Sequence, residues 1–584
     1  MSTSKPNMNS LPPSITTIST HSSCAFFKNT FQIPTIGKSK HCFKLSGNAI
    51  DSDTNEKTPN PNPPKLDRRN MLIGLGGYGA ATLAGNPPAT ASPVSPDLTK
   101  CRPSELAPGE ISTNCCPPKS TKIIDFKLPP PPTTARVRPA AHLVDCDYIA
   151  KFSDALALMK ALPNDDPRSF TQQANVHCAY CDGAYDHFEV HKSWLFFPFH
   201  RYYLYFFEKI LGKLIGDPSF AIPFWNWDSP IGMNMPPIYA DPKSPLYDRL
   251  RDAKHQPPNP IDLNYHLTDK NIAWVNLISN NLTTMYRQVV SASKTAQLFL
   301  GSAYRAGTKP EPGPGTLECT PHGPVHMWCG DRTQPKKEDM GIFYSAGRDP
   351  IFFGHHGNVD RMWTIWKSLG RRDFTDPDWL DSGFLFYDEN AQLVKVKVRD
   401  CLDTTKLGYV YQEVDIPWLK SRPTPRVSKL SREKNKACVA MVTPPTFPTK
   451  LDKVVRATVR RRKKSRSKKK KEEEEEEILV IDGIEFERDQ FVKFDVLIND
   501  GNEPVIGPEN SEFAGSFVNV PHGHKHGKKT ETCLRLGISE LLEDLEADDD
   551  ESILVTLAPR KGCDALIIGG LDIEFDSKYY ENEL

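Results

Sequence analysis

Asp349-Pro350-Ile351-Phe352-Phe353-Gly354-His355-His356-Gly357-Asn358-Val359-Asp360-Arg361-Met362-Trp363 is the stretch on which the reading of this chain turns. Pro350 and the rhythm of polar and apolar residues read as a loop leading into a helix. His356 lies within it, and Asp360 follows one turn later, placed to orient metal ligands or a neighbouring helix. Just upstream, Pro321-His322-Gly323-Pro324-Val325-His326 spaces two histidines at i and i+4, so a helical turn would project both rings from one face. Further back stand His177, His191 and His200. Pro198 suits the first turn of a helix, and His200 opens an apolar stripe through Leu204, Phe207, Leu211 and Leu214.

Three neutral imidazoles around one ion suit copper, and two sets, His177/His191/His200 and His322/His326/His356, point to a copper pair. Such a pair implies an oxygen-using redox enzyme. His142, His187, His255 and His266 read as satisfied core residues. His177-Cys178-Ala179-Tyr180-Cys181 contains a Cys-x-x-Cys, the pattern of a thioredoxin-like redox pair or half a zinc site. Neither reading has its usual company: no βαβ pattern surrounds it, and no second Cys-x-x-Cys follows downstream.

With 584 residues, 10% of them aromatic, and zero formal net charge, the chain can bury a large core and carries no bias toward nucleic acid. Its fourteen cysteines include a cluster suited to an oxidising compartment. Residues 1–66 are rich in Ser, Thr, Asn, Pro and Lys and nearly free of acids until Asp51, as a plastid transit peptide would be. Arg68-Arg69, a weakly apolar run from Met71 to Ala84 and Ala89-Thr90-Ala91 then read as a twin-arginine signal with a small-residue cleavage site. The apolar run falls short of the roughly 20 residues that span a bilayer. Residues 1–91 are therefore expected to direct chloroplast import and transfer to the thylakoid lumen, with the mature chain starting near Ser92 and no transmembrane segment. Asn281-Leu282-Thr283 is a formal glycosylation sequon that a plastid route would bypass.

The expected fold is multidomain: a mainly α-helical bundle holding a dinuclear copper site, followed by a C-terminal β-sandwich. Residues 92–375 carry both histidine sets and helical stretches such as 147–161, as in bundles that hold metals between facing helices. Residues 376–428 include the alternating strand signal Leu393-Val394-Lys395-Val396-Lys397-Val398. Residues 429–451, rich in Ser, Lys and Pro, read as a linker and protease target. From 452 to 584 strand patterns dominate, at 454–459, 478–481 and 491–498. Between the first two, Arg460 to Glu477 runs from basic to acidic and reads as a solvated hairpin tip. His522, His524 and His526 read as an exposed loop.

The segments Asn175-Val176-His177-Cys178-Ala179-Tyr180-Cys181, Trp194-Leu195-Phe196-Phe197-Pro198-Phe199-His200-Arg201 and His355 to Trp363 closely resemble plant polyphenol oxidases of the catechol oxidase and tyrosinase type. The resemblance runs from about residue 92 onward, and it implies that residues 376–428 form a small segment packing behind the bundle. It implies that His177, His191 and His200 bind one copper and His322, His326 and His356 the other, with His355 an adjacent non-ligand. It implies a thioether between Cys181 and His191, although the loop between them looks shorter than usual for the family. Disulfides Cys101–Cys116 and Cys115–Cys178 also follow from the resemblance, since four cysteines alone allow three pairings. Phe343 falls where the family has an aromatic gate above the second copper, or is a plain core ring. Glu318 matches a glutamate that holds a water near the site, and His355, Phe343 and Phe353 are candidate pocket walls.

Gly323 is a departure, because members good at hydroxylating monophenols often have Asn there to help orient that water. The expected activity is oxidation of o-diphenols to o-quinones, with monophenol hydroxylation weak or absent. The copper pair would pass electrons to O2 two at a time, so that the four electrons from two diphenols, which become quinones, turn one O2 into two waters. The partners implied are O2 and small phenols, with no nucleic acid. In the family the C-terminal domain covers the copper entrance and keeps the enzyme latent. Two alternatives share every ligand: an aurone-forming or lignan-hydroxylating relative, and an oxygen carrier without turnover.

Overall fold

The computed structural model describes residues 92–103, 114–130, 133–185, 188–426, 428, 430–433, 445–462, 475–500, 506–522 and 529–577. The targeting segment, His187, His524, His526 and the middle of the charged run at 463–474 lie outside these residues. Among the described residues no helix is long and apolar enough to cross a membrane.

Helices dominate the first part. Helix α1 (Cys146–Ala161) begins where the Asp145 carboxylate accepts the Tyr148 N–H, and it buries Phe152, Ala155, Leu156 and Met159 on one face. Helix α2 (Phe170–Cys181) starts at a Ser169 cap. Helix α3 (Phe196–Leu214) is buried almost throughout, Arg201 and Glu208 included. Helix α4 (Trp274–Tyr286) runs into a wide turn at Arg287–Ser291, and a short α5 (Ala296–Leu300) follows. A second wide turn, Glu318–His322, breaks at Thr320 (φ −144°) before α6 (Gly323–Cys329). Helix α7 (Ile351–Ser368) begins directly after Pro350 and packs against α3. Asn281 of the sequon is buried in α4, its amide bonded to Ile261 O and the Leu263 N–H, so the fold seals that site.

Short strands stitch this part together. Strand β1 (Ile123–Asp125) runs parallel to β4 (Leu393–Lys397), which pairs antiparallel with β3 (Gly383–Tyr387); β2 (Arg136–Arg138) runs parallel to β5 (Tyr409–Tyr411). A helical turn, α8 (Pro377–Asp381), leads into β3 and is capped by Asp376. Disulfides join Cys101 to Cys116 and Cys115 to Cys178, tying the extended start of the described chain to α2. Asp360 on α7 meets Arg201 Nε of α3 at 2.5 Å, Arg138 Nη1 of β2 at 3.3 Å and the Tyr409 hydroxyl of β5 at 2.6 Å. Glu208 completes the network with Arg138 Nε at 2.8 Å and Arg136 Nε at 3.0 Å. Burial would raise the Asp360 carboxyl, but the Arg201 and Arg138 guanidiniums hold it below its ordinary value. Of the two roles expected for Asp360, the structure gives it the second: its carboxylate locks α3, β2 and β5 onto α7.

The second part is two packed sheets. One orders β10 (Phe513–Asn519), β9 (Val492–Ile498), β12 (Ser552–Lys561) and β7 (Val455–Arg460). The other orders β11 (Lys529–Gly537), β8 (Glu475–Glu487), β13 (Ile567–Ile568) and β6 (Thr449–Lys450), with β14 (Gly570–Ser577) also on β8. Leu479, Ile481 and Phe486 from one sheet meet Phe494, Val496, Ile553, Val555 and Leu557 from the other. A short helix, α9 (Ser539–Asp544), follows β11. Two sequence expectations shift here. Thr449 and Lys450, expected in the linker, already pair with Ile568 and Ile567. The acidic end of the charged run is not a solvated tip: Glu475–Glu477 open β8, Glu476 is buried, and Glu477 takes both arms of Arg461 at 2.7 and 2.8 Å. The β8 ladder with β14 recruits those acids, which pattern alone does not reveal.

Candidate metal centre

The helices deliver six histidines to one buried volume. His177 comes from the last turns of α2, His191 from the loop before α3, His200 from the first turns of α3, His322 from the end of the wide turn, His326 from α6 and His356 from α7. Ring nitrogens of His177, His191 and His200 lie within 4.8 Å of one another, as do those of His322, His326, His355 and His356. The two groups abut, with the His200 and His356 rings stacked at 4.2 Å between centroids.

Each ring's orientation has a physical cause. His177 Nδ1 donates to Phe343 O at 2.8 Å, His200 Nδ1 to Phe196 O at 2.8 Å, His322 Nδ1 to Glu318 O at 3.1 Å and His326 Nδ1 to Met340 O at 2.8 Å. His191 Nδ1 lies 3.3 Å from Glu189 Oε1. Carbonyls only accept, so these rings carry their proton on Nδ1 and keep a lone pair on Nε2. The Nε2 atoms of His177, His191, His200 and His322 are buried without a hydrogen-bond partner. Those of His326 and His356 approach to 3.3 Å, the spacing of two donors turned to one point. Burial pushes the His177 ring down to about 3 and His326 to about 4, and holds the other four well below their ordinary value.

His355 differs. The Trp227 indole N–H donates to its Nδ1 at 3.2 Å, so a neutral ring carries its proton on Nε2 and offers no lone pair toward the others. Its closeness in space therefore does not make it a ligand. A buried polar atom left unpaired costs about 1–3 kcal/mol. Several convergent imidazole lone pairs, with no carboxylate among the donors, make a set that fits a borderline-soft ion such as copper.

Around these rings, Glu318 Oε1 accepts the Lys192 N–H at 2.5 Å, and burial pushes its carboxyl up to about 8. Its other oxygen is buried without a partner. Phe343 stacks on His191 at 4.0 Å and stands 5.8 and 6.3 Å from His326 and His322. It lies nearest the first triad, not over the second alone, because its backbone is the acceptor for His177. Phe353 stacks on Phe207 at 3.5 Å, away from the site, as core. The Cys181 thiol is buried, with Sγ within 4.8 Å of a His191 ring nitrogen. His255 is buried against Trp328, whereas His142 and His266 are only partly buried.

The second part of the chain closes the site. A cavity of about 20 Å³ is lined by His191, Glu318, His322, Gly323, Phe343, Val518 and Val520. That is room for a water and not for a phenol. A Cβ on Gly323 would stand 2.9 Å from Val518 Cγ1, so the glycine lets the covering strand approach. Phe343 N donates to Pro521 O at 3.1 Å. His522, read from sequence as loop, is buried with its ring 4.8 Å from Phe343. Its glycine- and lysine-rich surroundings hid this; the apolar run Phe517-Val518-Asn519-Val520 just before it was the available signal.

Residues 167–369 match the common central domain of tyrosinase, 373–424 the polyphenol oxidase middle domain and 447–575 the chloroplastic polyphenol oxidase C-terminal domain. A chloroplastic polyphenol oxidase of Malus domestica is 58% identical over 98% of this chain and all of its own length. The chain belongs to the plant polyphenol oxidases. An aureusidin synthase of Antirrhinum majus is 55% identical, covering 87% of this chain and 93% of its own. The structure of latent apple tyrosinase superposes with a TM-score of 0.74 at 62% identity, over 78% of this chain and 100% of that one. As a polyphenol oxidase, the chain is a chloroplast oxidoreductase with a dinuclear copper centre, acting on phenols with O2. Its helical part and strand-rich part follow the latent structures.

Proposed function

We propose that this polyphenol oxidase is a latent catechol oxidase of the thylakoid lumen, converting o-diphenols to o-quinones with little hydroxylation of monophenols. His177, His191 and His200 hold one copper, and His322, His326 and His356 the other. The observation that carries this reading is the set of buried Nε2 atoms facing two points, with Nδ1 of five of the six rings fixed behind. When bound, the copper pair supplies two-electron exchange between the diphenol and O2.

The remaining steps belong to the chain. Phe343, stacked on His191, offers a face against which an aromatic substrate packs once the cover lifts. Glu318, buried and turned into the cavity, holds a water there; Gly323 supplies no second group to orient it, which leaves a monophenol harder to deprotonate. A thioether from Cys181 to His191 would fix that ring. Residues 92–375 act as the catalytic domain, 376–428 brace it and the part after the 429–451 linker serves as the cover, with Val518 and Val520 over the cavity. Processing after residue 91 follows from the twin-arginine reading.

Copper content and O2 uptake on 4-methylcatechol and tyramine, with protein starting at Ser92 before and after limited trypsin, test this. Copper in both triads, with catechol uptake that rises after trypsin and little uptake on tyramine, is expected. Equal rates on both phenols would overturn the catechol assignment, and zinc in place of copper would overturn the oxidase reading itself. The aureusidin synthase likeness makes chalcones the comparison substrates for an aurone-forming reading.

A further inference from the structure

Five of the six proposed ligands have an Nδ1 partner, and four of those partners are neutral backbone carbonyls. His191 is the exception. Glu189 Oε1 accepts the backbone N–H groups of Val190 and His191 at 3.0 Å each and faces His191 Nδ1 at 3.3 Å. Its other oxygen accepts from Arg488 Nη2 at 2.5 Å. Arg488 follows β8 in the covering part of the chain, and both side chains are buried. Glu189, Glu311 and His522 come close enough together to suggest a third ion site. Arg488 and Lys192, the latter 3.0 Å from Glu311, already supply its positive charge.

A carboxylate behind an imidazole makes it a stronger donor than a carbonyl does. A guanidinium on the far side of that carboxylate draws its charge away, and in a buried setting that attraction is poorly screened. We infer that the covering domain sets the donor strength of one copper ligand through Arg488, Glu189 and His191, in addition to blocking the cavity. Lifting the cover removes Arg488, leaves the Glu189 charge to the His191 N–H and tightens His191 on its metal. Glu189 is thus a positioning residue whose effect depends on whether the domain is closed. This rests on the assignment of His191 as a ligand.

The test uses the full chain loaded with copper: wild type, Glu189→Gln, Arg488→Met, the double variant and His191→Ala. Each is dialysed against bathocuproine disulfonate with ascorbate, and the copper retained is measured. Glu189→Gln should weaken retention of one copper by about 10- to 100-fold. Arg488→Met should strengthen it several-fold in the wild-type background and change it less than about twofold in the Glu189→Gln background, because the two residues act in series. Wild-type retention in Glu189→Gln, or loosening by Arg488→Met in either background, would overturn the relay. A His191→Ala protein that keeps its full copper would instead remove the ligand assignment, and the relay with it, so the two failures are distinct.

Discussion

The histidine pocket and the seam beneath the covering domain lie within a few ångströms of each other, yet they are built differently. The pocket's rings are held mainly by backbone carbonyls of the helical part, at Phe196, Glu318, Met340 and Phe343. Beside one backbone bond, Phe343 N to Pro521 O, the seam is made mostly of side-chain contacts: Arg488 on Glu189, Lys493 Nζ on Asn264 O at 2.7 Å, the Tyr286 hydroxyl on Glu540 at 2.9 Å, and two valines on Gly323. A carbonyl cannot be substituted away, so ring geometry is fixed wherever the helical fold is. Side-chain contacts can be undone singly, so the seam can open while the four carbonyl-held rings keep their places. The difference is what a latent enzyme requires.

The largest effect should come from the scaffold behind the pocket. Asp360→Ala leaves two buried guanidiniums, Arg138 and Arg201, without their shared carboxylate. Breaking such a buried pair costs about 3–5 kcal/mol. Urea unfolding should show a loss of that size; a loss under about 1 kcal/mol would mean that the pocket's frame does not depend on this network. Next comes pH. Burial pushes the Lys493 ammonium down to about 8. Its folded value lies below its unfolded one, so the folded state is penalised in full below pH 8 and relieved as pH rises toward the ordinary lysine range. The penalty is on the order of 3 kcal/mol. Between pH 7 and 9.5 the wild type should gain stability relative to Lys493→Met; parallel curves would show that the seam does not bury this charge.

The same contrast explains what could be read from the chain itself. The histidine pair at i and i+4, Pro198 and Pro350 at helix starts, and the alternating runs at 454–459 and 491–498 are local signals, and α3, α6, α7, β7 and β9 stand where they point. The seam was not legible, because it pairs residues far apart in sequence. Arg488 and Glu189 are 299 positions apart, and neither stretch hints at the other. His522 looked solvated for the same reason: its burial comes from Phe343 and the helical part, not from its neighbours. Glu475–Glu477 looked like a charged tip because the strand that pairs with them, β14, lies about 100 residues further along the chain.

Smaller substitutions in the seam sharpen the comparison. Val518→Ala removes the two methyl groups of a buried valine whose Cγ1 lies over Gly323, about 0.8 kcal/mol each, which corresponds to roughly a tenfold shift toward the open cover. The full chain should oxidise 4-methylcatechol up to about tenfold faster, while the trypsin-trimmed rate stays at the wild-type value. A change in the trimmed rate would mean that Val518 shapes the pocket as well as covering it. Lys309→Ala provides the lower bound. Its ion pair with Glu531 also crosses the seam, at 2.6 Å, but the two side chains remain 61% and 52% exposed. Water already solvates both charges, so little is lost when one is removed. Latent activity should change less than about twofold. If Lys309→Ala instead activated the enzyme as strongly as Val518→Ala, closure would depend on exposed charge along the rim, and raising the salt concentration alone would open the wild type.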